Sequence, residues 1–598
     1  MKPWRAKFLL LGGAATLAFA IPAAGQRDSQ RQGGPESLLP PGFGEPPPPA
    51  PKEPPADNAA TPATPSPPTP APPPPTSAVP APTVEDSAVE DLEALTQQNV
   101  PPPIEIPEAS RRPTNPVGPY RPDNWGLGLD AFGHANGRFL AGLMGRLNAP
   151  LPSRWTSILL RRALLTEASA PPAINDVDWV AERAWLLLRM GEADAARILV
   201  QSVDVDRFTP RMFTVAVQTA LATADPAALC PLVGPGRKVS DMPVWPLADA
   251  MCASLEGDAA RASQLIEQAR RQTGGGIDTL LAEKVIGAGT NTRRAVTIEW
   301  QGVDELTSWR FGLASATGLE IPAPLLNGAG PAVWAWQARA PMIPLEQRVD
   351  AAQRAATLGV FSNAALVEMQ SLLLDQTDPS EIEGSLGGRL RKAYVAGSVG
   401  DRIDAMRGLW SEGNDRYGRL ILTAGAAARV PPSSAYANRA DDLVASTMTA
   451  GYDRYAARWG GVVDARGDDS DRAWSILAVG APRPVVDLSA SRVQDFTGRV
   501  DGERGRMLVA ALAGLGRLPD PAAYGVDPSP RSRWSNLIAA AARADQPGTV
   551  ALLAGVGMQT GSWRGVPPEH LYQIVRALRE VGLEYEARMI AAEAMTRL

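Results

Sequence analysis

The chain has 598 residues, which is enough for about four domains of ordinary size and for a large buried core. Its net charge of −6, with 20% charged residues, disfavours the basic surface that nucleic-acid binding requires. Only two histidines and two cysteines are present, so the chain offers few ligands for a metal and few groups for nucleophilic catalysis. We therefore predict no metal site, no cofactor and no nucleic-acid partner.

Residues 1–25 have the pattern of a secretory signal peptide. Basic residues precede an apolar run from Phe8 to about Ala20, and small residues follow as far as Gly25. We predict cleavage after Gly25 and a mature chain in the periplasm that has no membrane span. The alternative is an uncleaved inner-membrane anchor through residues 8–24, but its apolar run is shorter than the ~20 residues that cross a bilayer.

Residues 26–120 form a proline-rich segment that is predicted to be a disordered linker. Of the 58 prolines, 29 lie between Pro35 and Pro122. Apolar side chains are scarce there, so little burial would offset the entropy of ordering the chain. An extended polyproline conformation would reach on the order of 100–200 Å. The segment is either a plain spacer or a carrier of a docking motif of the kind that SH3-like domains bind.

One stretch of the linker, residues 84–98, has a different pattern. It is acidic, and Val89, Leu92 and Leu95 fall on one helical face. It could therefore form one short helix, although a helix of about 12 residues is marginal on its own. Such a helix would either bind the groove of a partner or pack on the protein's own body.

From residue 121 to residue 598 the sequence has the periodicity of paired helices. The clearest window runs from Asp178 to Val203, where apolar residues recur at helical spacing on both sides of Gly191. Gly191 is expected to end the first helix of the pair. The same pattern of helix, glycine and Ala-rich helix recurs around Gly257, Gly359 and Gly582.

These hairpins resemble tetratricopeptide-like repeats, and also the helical superhelix that accompanies soluble lytic transglycosylases. Gly191 and Gly257 are 66 positions apart, about twice the 33–34 residues of a two-helix repeat. The tetratricopeptide pattern has a glycine four residues after a tryptophan, whereas here Arg189 follows Trp185. The resemblance implies an all-α fold, a degenerate α-solenoid of stacked helical hairpins. A proline- and glycine-rich stretch near 300–345 is the expected break between two halves.

One short element bears on catalysis. Residues 557–560 resemble the Gly-Leu-Met-Gln element of lytic transglycosylases, whose chemistry needs a glutamate shortly upstream. No glutamate lies between Glu503 and Glu569. We therefore predict that the protein is not an enzyme and has no catalytic residues, and that Met558 fills part of a core.

The two cysteines are predicted to pair. Cys230 and Cys252 are 22 positions apart, and we expect them on the two arms of one helical pair in an oxidising compartment. A bridge across a loop of this size stabilises by ~3 kcal/mol in the chain-entropy model. The alternative is two free, buried thiols.

The acidic run 464–471 is a further candidate site. It lacks the alternating ligands and the final glutamate of a calcium-binding loop. We therefore expect Asp464, Asp468, Asp469 and Asp471 to cap the helix that follows.

Tryptophan is the aromatic residue that could bear on binding. The chain has 15 tryptophans, against 10 phenylalanines and 9 tyrosines. Trp334 and Trp336 are two positions apart, so one helix cannot direct both inward, and we predict a binding surface there. The alternative is core packing between helices.

Taken together, the patterns predict an exported, non-enzymatic scaffold of the bacterial cell envelope. Stacked helical pairs expose extended surfaces that suit binding to a protein or peptide. The alternative is a factor that associates with peptidoglycan or assists a hydrolase.

Overall fold

The computed structural model describes residues 107–289, 296–529 and 531–598. The predicted signal peptide, the alternative anchor 8–24, the acidic segment 84–98 and most of the linker lie outside these ranges. The described chain is all-α, as expected, with 27 α-helices and no strand. None of the described helices is long and apolar enough to cross a membrane.

The helices follow one another closely along the chain. The first fourteen are α1 Gly137–Arg146, α2 Arg154–Leu165, α3 Asp176–Arg189, α4 Ala193–Val200, α5 Pro210–Ala222, α6 Cys230–Val239, α7 Val244–Leu255, α8 Ala259–Thr273, α9 Ile277–Gly289, α10 Ser308–Ala316, α11 Ala323–Gly328, α12 Pro331–Arg339, α13 Leu345–Thr357 and α14 Asn363–Asp375. The others are α15 Leu386–Val395, α16 Val399–Ser411, α17 Arg416–Ala428, α18 Ala440–Thr449, α19 Asp453–Ala457, α20 Gly460–Asp464, α21 Asp471–Gly480, α22 Ala490–Arg499, α23 Gly502–Gly514, α24 Arg533–Arg543, α25 Pro547–Gly557, α26 Pro568–Glu580 and α27 Glu584–Arg597.

The predicted turn glycines lie between consecutive helices. Gly191, Gly257, Gly359 and Gly582 have φ values between 77° and 97°, a left-handed conformation that glycine adopts without steric cost. In each turn the next N–H donates to the carbonyl five residues back, as Glu192 does to Leu187 at 2.9 Å. This repeated turn joins α3 to α4, α7 to α8, α13 to α14 and α26 to α27, and the two helices of each pair pack against each other. The fold is therefore solenoid-like and compatible with a helical repeat.

Among the described residues, the core consists of one large apolar cluster, a smaller one, and a minor group formed by Ala224, Ala340 and Ile343. The smaller cluster is built mainly from α12 to α17. The two clusters meet on α12, where Trp336 belongs to the larger cluster and Ala335 to the smaller. This position lies within the predicted break near 300–345.

The last helix, α27, is buried along most of its length. All ten residues from Glu586 to Met595 are buried, and α27 packs against α2, α18, α21, α23 and α26. Helices near the two ends of the described chain are therefore in contact. An open solenoid, in which each repeat contacts only its neighbours, has no such contact.

Arginine side chains bind the ends of neighbouring helices. Arg517 donates to the carbonyls of Ala478 and Ala481, both at 2.7 Å, at the C-terminus of α21. Arg588 donates to Gly480 on the same helix. Because a guanidinium can donate to several carbonyls at once and a lysine ammonium is a more compact charge, this use suits arginine. The sequence has 52 arginines and 6 lysines.

The chain joins the body earlier than expected. Arg111 forms an ion pair with Asp206 at 2.6 Å, and the N–H of Arg112 donates to Asp204 at 3.0 Å. Val117 is buried, with 5% of its surface exposed. Residues 107–120, which the sequence assigns to the linker, therefore lie on the helical body.

Candidate aromatic binding site

An aromatic-lined pocket of about 230 Å³ lies where α2 and α27 meet segment 117–129, near the start of the described chain. We call this pocket the aromatic slot and the segment the strap. The residues that line the slot are Tyr120, Trp125, Trp155, Ile158, Leu159, Arg161, Arg162, Tyr585 and Glu586. Most of its surface is apolar, with charged side chains at its edge.

Hydrogen bonds hold the strap against the end of α2. The N–H of Tyr120 donates to Leu165 at 3.1 Å, and the carbonyl of Tyr120 accepts from Glu167 at 2.7 Å. The N–H of Leu127 donates to the hydroxyl of Thr166 at 3.2 Å. These bonds fix the wall of the slot that contains Tyr120 and Trp125.

A buried arginine supports the same junction. Arg183 on α3 is fully buried and donates to the carbonyls of Val117, Leu164 and Thr166 at 2.5–2.9 Å. Arg183 is buried without a carboxylate partner, and this burial lowers the pKa of its guanidinium to about 9. The carbonyls satisfy the donors and join the strap to the end of α2.

Trp125 is exposed but held in a fixed backbone conformation. Its residue surface is 75% exposed, and its φ of 74° lies in the left-handed region that non-glycine residues rarely adopt. Arg162 donates from Nε to the Trp125 carbonyl at 2.6 Å. The next residue, Gly126, has no room for a Cβ, which would lie 2.4 Å from the Tyr120 carbonyl oxygen. The unusual backbone conformation beside the slot makes Trp125 a candidate ligand-binding residue.

Trp155 and Tyr585 form the inner part of the slot. Their rings meet edge to face with centroids 5.8 Å apart. The Tyr585 hydroxyl donates to the carbonyl of Gly451 at 3.0 Å. A Cβ on Gly451 would lie 2.1 Å from that hydroxyl and 2.8 Å from the Trp155 ring. The absence of a side chain at position 451 therefore permits this aromatic arrangement.

The charges around the slot are paired with one another. Arg162 pairs with Glu586, and Arg161 pairs with Glu192 at 2.6 Å. Burial raises the pKa of Glu192, although Arg161 opposes the shift. Burial also raises the pKa of Tyr585 to about 12, so its hydroxyl stays protonated as a donor at neutral pH. A ligand without charge would therefore leave these ion pairs undisturbed.

The tryptophans singled out in the sequence lie elsewhere, on α12. Trp336 is 3% exposed and packs against Phe311, with ring centroids 5.7 Å apart. Trp334 is half-buried, and the Arg354 guanidinium lies 5.1 Å from its ring. Of the pair, Trp334 alone is accessible to solvent, and the predicted binding surface stays a prediction.

Cys230 and Cys252 are adjacent in the structure and form a disulfide, with Cα atoms 5.4 Å apart. Cys230 begins α6 and Cys252 lies in α7. The bridge therefore joins two consecutive helices, the arrangement that the sequence predicts.

Met558 is fully buried and accepts from the Thr156 hydroxyl at 3.2 Å. Gln559 exchanges hydrogen bonds with the backbone of Asn148. Both residues thus contact the α1–α2 region, and Met558 lies in the core as predicted.

The acidic run near α21 contacts arginines. Asp471 accepts from Arg492 at 2.7 Å and from Arg499 at 3.0 Å. No side chain of the run caps α21. The N–H of Ala473 instead donates to Asp441, on α18, at 2.7 Å. Within the described ranges no group of three His, Cys, Asp or Glu residues is suitably placed for a metal.

No sequence pattern predicts the aromatic slot. Trp155 and Tyr585 are 430 positions apart, and each lies in an ordinary helical pattern. Trp125 offered one signal, because it lies between Asn124 and Gly126 in a turn-like context that does not suit a core aromatic.

Comparison with known protein families, with curated proteins and with solved structures found no match to this chain.

Proposed function

We propose that this protein is an exported, non-enzymatic scaffold that binds proteins or peptides, and that the aromatic slot holds part of an extended partner segment. The observation that carries this proposal is Trp125, three-quarters exposed beside an apolar slot. Tryptophan and tyrosine supply large contact areas at low entropic cost and are enriched where proteins bind one another.

The size of the slot supports a peptide ligand. Its volume of about 230 Å³ is below the ~300–1,000 Å³ of pockets that enclose a small molecule or cofactor. It suits one or two side chains of an extended segment whose remaining residues lie on the surface.

The proposed periplasmic location rests on two features of the sequence. Residues 1–25 have the pattern of a signal peptide, and the two cysteines can pair in an oxidising compartment. The repeated helix–glycine–helix turns support the finer proposal that the body is a tetratricopeptide-like array.

Peptide selection on the purified chain would test this function. Selected peptides should be enriched in proline or aromatic residues, and Trp125→Ala should weaken their binding at least tenfold. Val395→Ala is the matched control, because Val395 is 68% exposed and does not line the slot. It should change the affinity less than twofold.

Equal binding by wild type and Trp125→Ala would contradict the peptide function. Sedimentation with purified peptidoglycan sacculi tests the alternative partner. If wild type is retained on sacculi and Trp125→Ala is not, the slot binds the cell wall, and the alternative replaces the proposal.

A further inference from the structure

We propose that the chain's own residues 62–75 occupy the aromatic slot when no partner is bound. This inference rests on the proposed function, because it names the segment that competes with a partner for the same site. Three features support it: the chemistry of the slot, the composition of residues 62–75 and the position at which the described chain begins.

Residues 62–75 have the composition that an aromatic slot recognises. Nine of these fourteen residues are prolines, and prolines recur three positions apart at 62, 65 and 68 and again at 67, 70 and 73. A polyproline helix has three residues per turn, so such prolines align on one face. Aromatic-lined grooves bind such segments at little ordering cost, because the proline rings already restrict the backbone.

The absence of charge makes residues 62–75 a better ligand for the slot than the preceding proline run. Residues 58–84 contain no charged side chain, whereas the preceding run, 46–55, contains Lys52 and Glu53. The ionic groups at the slot are already paired, as Arg162 is with Glu586. An uncharged ligand buries no unpaired charge there and breaks no ion pair.

The attachment point favours binding within one chain. The strap includes slot residues Tyr120 and Trp125, and it lies immediately after the ion pair that holds Arg111 to Asp206. About 45 residues therefore connect Pro75 to the slot, a span whose typical end-to-end distance is roughly 35–40 Å for a flexible chain. A tether of this kind gives an effective concentration on the order of 1 mM.

An internal ligand in the slot would compete with partners and exclude those that bind weakly. With an effective concentration on the order of 1 mM, an internal ligand whose intrinsic Kd is on the order of 0.1 mM weakens competing ligands about tenfold. A partner must then exceed the affinity of the internal segment, or bind a second surface as well.

The test adds a labelled peptide of residues 61–76 to the purified chain 26–598 and measures fluorescence anisotropy. In the first variant, serine replaces all nine prolines of 62–75. The peptide should bind this variant about tenfold more tightly than it binds wild type, because the internal competitor is gone. Trp125→Ala in the same variant should reverse the gain by removing the shared site.

The matched control replaces the seven prolines of 46–55 with serine, which should leave the affinity of the peptide at its wild-type value. Both proline runs lie outside the described ranges, so neither variant substitutes a residue of the described fold. The inference is overturned if the peptide binds none of the chains, or if it binds wild type and the first variant equally.

These outcomes separate the inference from the proposed function. If selected peptides bind in a Trp125-dependent manner while removal of the prolines changes nothing, the slot is a peptide site and the internal ligand is rejected. If Trp125→Ala affects no peptide, both proposals fail.

Discussion

The hydroxyl of Ser153 donates a hydrogen bond of 2.7 Å to the carboxylate of Glu593, which lies 440 positions later in the chain. The N–H groups of Arg154 and Trp155 donate to the same carboxylate at 2.9 and 3.1 Å. Glu593 therefore satisfies donors at the start of α2, where the helix dipole also favours a negative charge. Because α2 carries Trp155, the C-terminal helix positions part of the aromatic slot.

Glu593→Gln should destabilise the protein. The side chain of Glu593 is fully buried, and the substitution removes its charge and places an N–H group among donors. We expect the free energy of unfolding to fall by about 1–3 kcal/mol, measured by urea denaturation. The control is Glu580→Gln on an exposed face of α26, which should change it by less than about 0.5 kcal/mol. Equal effects of the two substitutions would contradict the capping role.

Arg183→Lys should loosen the strap. Lysine keeps the positive charge but cannot reproduce the planar set of donors that reaches the carbonyls of Val117, Leu164 and Thr166. Unsatisfied buried carbonyls should lower the free energy of unfolding by about 2–3 kcal/mol. Hydrogen exchange should accelerate at the amides of 117–129. Arg138→Lys, at an exposed position of α1, is the control, and an unchanged exchange pattern in Arg183→Lys would refute the role.

Gly451→Ala should impair the slot, whereas Gly467→Ala, which introduces similar backbone strain, should not. Gly451 and Gly467 have φ values of 78° and 57°, but a Cβ would collide with Tyr585 and Trp155 only at position 451. Both substitutions should lower the free energy of unfolding by about 1 kcal/mol, because alanine disfavours a positive φ. Gly451→Ala should in addition weaken peptide binding at least tenfold. Similar affinities for the two variants, measured by anisotropy, would show that the Gly451 turn does not shape the site.

The contribution of Asp471 should depend on pH. Burial alone would raise the pKa of Asp471, but hydrogen bonds from Arg499 and Arg492 outweigh it and hold the pKa below its ordinary value. The ion pairs therefore stabilise the fold above about pH 4, and their contribution is lost as pH falls through the lower, folded-state pKa.

The measurement compares Asp471→Asn with wild type by urea denaturation across a pH series. The variant should be less stable by on the order of 1 kcal/mol at pH 7, and the difference should shrink toward pH 2. Asp304→Asn, at an exposed position, is the control and should change the free energy of unfolding by less than about 0.5 kcal/mol at pH 7. If the stability difference between Asp471→Asn and wild type instead grows as the pH falls, the prediction is wrong.

The Cys230–Cys252 bridge should stabilise the folded chain. The intact mass should rise by about two mass units on reduction, and replacing both cysteines with serine should lower the free energy of unfolding by roughly 3 kcal/mol. Cys230→Ser and Cys252→Ser singly should each have a similar effect, because either one removes the bridge. Full stability of the double variant would argue against a stabilising disulfide.

The local features of this protein can be predicted from its residues alone. Apolar residues at helical spacing and the glycines at 191, 257, 359 and 582 predicted helices joined by left-handed turns. These features depend on residues within one or two turns of each other, because helix periodicity and glycine's conformational freedom act locally.

The residues of the candidate site, in contrast, come together only in the folded protein. Trp125, Trp155 and Tyr585 come from the strap, α2 and α27, and no local pattern indicates that they meet. Likewise, nothing near Glu593 in sequence shows that it caps α2, since its partner helix begins some 440 positions earlier. Such contacts form only when packing brings distant segments together, and their burial then requires that each charge and each free N–H find a partner.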